Sequence, residues 1–79
     1  MLKKLKEKDA RELIISILSK AVAPLTTQVV EDMVQGQGKQ CPDSAVRFLA
    51  KMRYKGMIKG KLSREHRGWV WWVEKKGDK

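Results

Sequence analysis

The 79-residue chain holds one cysteine, one histidine, two prolines and no asparagine. A single thiol, Cys41, cannot form an internal disulfide, and with only His66 beside it a Cys/His metal site has too few ligands. No apolar stretch approaches the roughly 18 residues that a membrane-spanning helix needs. The amino terminus Met-Leu-Lys-Lys-Leu-Lys-Glu-Lys lacks the apolar core of a secretory signal. The sequence therefore reads as an intracellular, cytoplasmic protein. No Ser/His/Asp or Cys/His arrangement has a third partner and the acidic residues are scattered, so an enzyme is not expected. No cofactor and no small-molecule substrate are implied either. Repeats and low-complexity segments are absent, and the length allows one domain with a modest core.

What the chain has in excess is positive charge. The formal net charge is +9 with a pI near 10.0, a potential that attracts polyanions or an anionic membrane surface. Its distribution is uneven. Between Met33 and Trp72 stand nine basic residues (Lys39, Arg47, Lys51, Arg53, Lys55, Lys59, Lys61, Arg64, Arg67) against two acidic ones, Asp43 and Glu65, a net +7.

Residues 1–8 carry four lysines and read as a solvated basic arm or an extension of the first helix, and 75–79 as a flexible tail. Between them, 9–74 forms the domain. Asp9 and Glu12 have capping-box spacing, and Leu13, Ile14, Ile17, Leu18 and Ala21 recur as one helical stripe, predicting helix 1 over 9–21. Pro24 ends it. Thr26 or Thr27 can cap a second helix over 27–35, with Val29, Val30, Met33 and Val34 on one face, until Gly36-Gln-Gly38 opens a mobile connection. Pro42 and Asp43 suit the first turn of helix 3, about 42–55, whose inner sector is Ala45, Phe48, Leu49 and Met52. Gly56 is placed to close it in the left-handed conformation. Met57 to Leu62 then alternates as a strand, a charged turn follows, and Trp69 to Val73 is a second strand. The expected class is mainly α with a small β-hairpin, α+β, with a two- to three-stranded antiparallel sheet.

Three short helices, a glycine stop and a hairpin with a basic loop resemble the winged helix-turn-helix family of DNA-binding domains, of small prokaryotic or viral type. The resemblance covers 9–74 and is most specific at Ala45-x-x-x-Leu49-x-x-Met52-x-x-x-Gly56-x-Ile58. It implies double-stranded DNA as the partner and transcription regulation as the role, in the host cell if the protein is viral. Helix 3 would enter the major groove and the wing, about 61–69, would lie on the adjacent backbone or in the minor groove. Arg47 and Ser44 then face base edges or phosphate, and Lys51, Lys39, Gln40, Thr26 and Thr27 face phosphate. Lys61, Arg64, His66 and Arg67 form the wing contacts. Winged helices that recognise left-handed duplexes carry asparagine and tyrosine four residues apart on helix 3; Val46 and Ala50 stand there, so that activity is not expected.

The tryptophans suggest an alternative. Alternation sends Trp69 and Trp71 to one strand face and Trp72 to the other, so at least one is partly exposed. Trp69 and Trp71 are accordingly candidate interface residues for a homodimer or a protein partner, with Trp69 also a candidate for base stacking. A third reading rests the basic arm on anionic lipid through Leu2 and Leu5.

Overall fold

A computed structural model describes residues 3–74. Met1, Leu2 and the tail expected over 75–79 lie outside the described residues. The element order is β1 (Lys3–Lys4), α1 (Glu7–Lys20), β2 (Leu25–Thr26), α2 (Thr27–Gln35), β3 (Lys39–Gln40), α3 (Ala45–Tyr54), β4 (Lys59–Ser63) and β5 (Gly68–Trp72). This is a mixed α+β arrangement of three helices with a three-stranded antiparallel sheet in the order β2-β5-β4, and a separate parallel ladder between β1 and β3.

The helices form where the apolar stripes recur, but their ends answer to neighbours. α1 begins at Glu7, and the Asp9–Glu12 capping box does not form; Lys6 is the N-cap and offers no side-chain bond. The Leu5 N–H donates to the Gln40 carbonyl at 2.8 Å, so the chain is fixed at residue 5 and turns helical at once, with Ala10 N–H already donating to Lys6 O at 2.9 Å. Asp9 thus sits inside the first turn with Glu7, still favourable to the helix dipole. α2 starts as expected, with the Thr26 hydroxyl accepting from Val29 N–H at 3.2 Å.

α3 starts at Ala45, so Pro42 and Asp43 precede the helix instead of opening it. Cys41 is drawn into the core, and residues 42–44 are used up in swinging the chain from β3 into the helix. Asp43 Oδ1 accepts from Ser44 N–H at 2.8 Å, which leaves Ser44 as N-cap. At the other end Gly56 takes φ 80 and the chain closes a Schellman motif, Gly56 N–H to Arg53 O at 2.9 Å and Met57 N–H to Met52 O at 3.0 Å.

The connection read as mobile, 36–40, is tied at both ends. Gly36 N–H donates to Asp32 O at 2.8 Å at one end, Gln40 O accepts from Leu5 N–H at 2.8 Å at the other, and between them Gly38 O accepts from Lys3 N–H at 2.9 Å.

One core joins all three helices to the sheet. Ile14 from α1, Val30 and Val34 from α2, Phe48, Leu49 and Met52 from α3, Ile58 and Trp71 are its buried centre, each large side chain worth about 1.5–3 kcal/mol of transfer free energy. The α2 stripe is split: Val30 and Val34 are buried, while Val29 and Met33 stay partly exposed. Leu5 packs against this core, which removes it from the lipid-facing role.

Candidate nucleic-acid interface

The inward residues of α3 fix which residues face out. With Ala45, Phe48, Leu49 and Met52 buried, Arg47, Ala50, Lys51 and Tyr54 form an exposed stripe at i, i+3, i+4 and i+7. Arg47 has no ion pair among the described residues. Lys51 does: its Nζ lies 3.7 Å from Glu7 Oε2, while Arg11 holds the other oxygen of Glu7 at 3.4 Å. Both pairs are exposed and weak, so Lys51 is steered toward the first turn of α1 without being locked there.

The carboxyl end of α3 grips the hairpin. Arg53 donates from Nε to Gly60 O at 3.2 Å and lays its guanidinium over the Trp69 ring, 5.1 Å from the centroid. Trp69 in turn stacks on Trp71 at 5.3 Å and 19°. The approach is close enough that a Cβ on Gly60 would meet Trp71 Cε3 at 2.5 Å and Arg53 Cδ at 3.3 Å. Trp71 completes the fastening by donating its indole N–H to Thr27 Oγ1 at 2.8 Å. Helix, sheet and the start of α2 are thereby joined through one stack.

At the hairpin tip, residues 64–67 turn with Arg67 in the left-handed region, φ 54, and Arg67 N–H donating to Arg64 O. Ser63 Oγ lies 3.0 Å from His66 Nδ1 and accepts from His66 N–H at 3.4 Å, which braces the turn. Arg64, His66 and Arg67 are all exposed.

Not every expected contact residue joins this surface. Strand register puts Gly60 and Leu62 on one sheet face with Trp71 and Trp69, and Lys59 and Lys61 on the other with Trp72 and Val70. Lys61 consequently lines a groove with Leu18, Ala21 and Trp72, on the sheet face opposite the one that Arg53 grips. The Thr26 hydroxyl caps α2 and that of Thr27 accepts from Trp71, each through an oxygen lone pair, so the O–H proton of each remains to donate to a phosphate. Ser44, Arg47 and Gln40 are exposed and Lys39 is half-buried beside them. Trp71 is buried, which corrects its expected place at an interface; the core needs its ring and Thr27 its N–H. Trp69 and Trp72 remain half-buried.

Arg53 is the residue that sequence reading missed. Its spacing marks it only as a cation in the last turn of α3, and its partners Gly60 and Trp69 come from strands whose register the pattern does not give. Cys41 is buried, and burial followed by the nearby Glu31 charge pushes its thiol up from the ordinary value, away from the reactive thiolate. Among the described residues no group of His, Cys, Asp or Glu is arranged to hold a metal ion, and no helix is long and apolar enough to cross a membrane. No family model, curated protein or solved structure matches the chain.

Proposed function

We propose that the chain is a winged helix domain that binds double-stranded DNA, with α3 as the recognition helix and the β4–β5 hairpin as the wing. The observation that carries this reading is the pairing of two cationic elements through one clamp: Arg47 exposed on α3 and Arg64 and Arg67 exposed at the hairpin tip, with Arg53 tying helix to hairpin. Cations held in fixed relative position on a helix and a projecting turn fit a major groove and its flanking phosphates. The small Ala50 beside Arg47 lets the helix approach base edges. Regulation of transcription is the role that the winged helix resemblance suggests for such a surface.

The test is a duplex titration at several salt concentrations. Arg47→Ala is expected to weaken binding about tenfold, the worth of one good base or phosphate contact. Arg64→Ala with Arg67→Ala is expected to make the slope of log K against log salt shallower by about 2, since each lost phosphate contact retains about one counterion. Affinity and slope unchanged by all three substitutions would overturn the proposal.

A second reading has an observation of its own. Trp72 borders an apolar groove with Leu18, Val22, Pro24 and Val73, and Val22 is fully exposed. A protein-interaction surface therefore centres on Trp72, in place of Trp69 and Trp71, and its simplest occupant is a second copy in a homodimer. Sedimentation that finds a monomer up to high concentration, unchanged by Trp72→Ala, removes it.

A further inference from the structure

The basic arm at the amino terminus is held against the fold by β1 pairing in parallel with β3, Lys3 in register with Lys39 and Lys4 with Gln40. Lys3 N–H donates to Gly38 O and Leu5 N–H to Gln40 O, so the ladder rests on main-chain bonds while one of its two in-register pairs, Lys3 with Lys39, is of like charge. Lys3, Lys4, Lys6 and Lys39 line one groove together with Asp9 and Glu12. Neither carboxylate comes within ion-pairing distance of these lysines; among the described residues the ion pairs are those of Glu7 with Arg11 and Lys51. A like-charge pair in register costs stability in isolation and is offset when an anion covers it.

The place of this groove in the fold gives it a partner. Lys4 also lines the hollow formed by Gln40, Pro42, Asp43 and Ser44, immediately ahead of α3. The hairpin, by contrast, is gripped at the carboxyl end of α3 through Arg53. α3 has 10 residues and is thus about 15 Å long. A duplex that takes such a helix into its major groove, about 12 Å wide, runs a phosphate strand along each side of it, within reach of cationic segments that flank the helix. We infer that the Lys3–Lys4 and Lys39–Gln40 ladder is a second phosphate-backbone contact, at the amino end of α3, opposite the one made by the hairpin. This rests on the duplex-binding reading above and extends its surface to a segment outside the winged core. The two contacts bracket the helix and fix its register along the groove, and duplex binding in turn tightens the arm by relieving the Lys3–Lys39 repulsion.

The experiment compares Lys3→Ala/Lys4→Ala/Lys39→Ala with a charge-matched control, Lys20→Ala/Lys75→Ala/Lys76→Ala, in the full chain after their Tm values are shown to match the parent. A synthetic duplex is titrated with each at several salt concentrations. The ladder variant is expected to lose about 2 to 3 from the slope of log K against log salt, and the control less than 1. A second ladder variant with glutamine at the same positions keeps the aliphatic reach and is expected to behave as the alanine one. Equal losses in ladder and control variants would mean that net charge alone matters and would overturn the inference. A parent that binds with its usual slope kept in the ladder variants overturns the inference but leaves the function standing, whereas a parent that binds no duplex at low salt overturns both. Ladder variants that lose binding to anionic phosphatidylserine vesicles while keeping the duplex slope would assign the arm to a membrane surface and likewise overturn it.

Discussion

The two ends of α3 are fastened by different physics. At the carboxyl end the hairpin is held by a buried tryptophan, an aromatic stack, a guanidinium over its outer ring and a hydrogen bond from Arg53 to Gly60. At the amino end the arm is held by a two-residue ladder, a half-buried leucine and opposed lysines. The first is close packing, which is strong and independent of salt. The second is a few main-chain bonds working against Coulomb repulsion, so its strength depends on what ions surround it. A firmly packed hairpin and a responsive arm follow from the same chain.

The widest test of this contrast is Trp71→Ala. It removes a buried ring, the platform for Trp69 and the donor to Thr27, and is expected to cost about 3–5 kcal/mol in chemical denaturation, most of what a domain of this size has to spare. Loss below about 1 kcal/mol would mean that the stack does not hold the hairpin. A finer cut uses two glycines of one hairpin. Gly60→Ala drives a Cβ into the Trp71 ring and is expected to destabilise by about 1–3 kcal/mol. Gly68→Ala meets nothing within 4 Å and should leave Tm nearly unchanged.

Smaller again is Arg53→Met, which keeps bulk but removes the cation above Trp69 and is expected to cost about 0.5–1 kcal/mol. Tryptophan fluorescence should change with it, because the exposed side of the Trp69 ring loses its charged cover; an unaltered spectrum would argue against the contact. The smallest effect is expected at the arm. Lys3→Glu turns the repelling pair with Lys39 into an attractive one, so Tm should rise slightly at low salt while duplex affinity falls. A fall in Tm would mean that the opposed lysines do not strain the ladder.

Local chemistry made much of the fold legible. The 3.6-residue spacing of Ile14, Ile17 and Leu18, or of Phe48, Leu49 and Met52, gives each helix one face to bury, and Gly56 could only mark a helix end because a left-handed residue is cheap there. The capping box failed because Asp9 and Glu12 have the right spacing in a chain that was already pinned at Leu5 by Gln40, some thirty-five residues away. Pro42 failed for a related reason, since the segment after β3 had to turn before it could coil. At the candidate site, Arg47 and the 64–67 turn could be picked out from charge and periodicity. The face of Lys61 and the bond from Trp71 to Thr27 were not legible, because strand parity and that hydroxyl's donor are set by partners distant in sequence, whereas the Thr26 cap is local and could be read.

What the sequence determined by itself is the alternation of apolar and cationic residues along each element, because helix and strand periods are properties of the backbone. It therefore sets which side of α3 is basic. What only the tertiary structure decided is which cations stand together: Arg53 with the hairpin, Lys3 with Lys39, Lys51 with Glu7. Those pairings follow from how far apart in sequence the packed segments lie, and no local period encodes that distance.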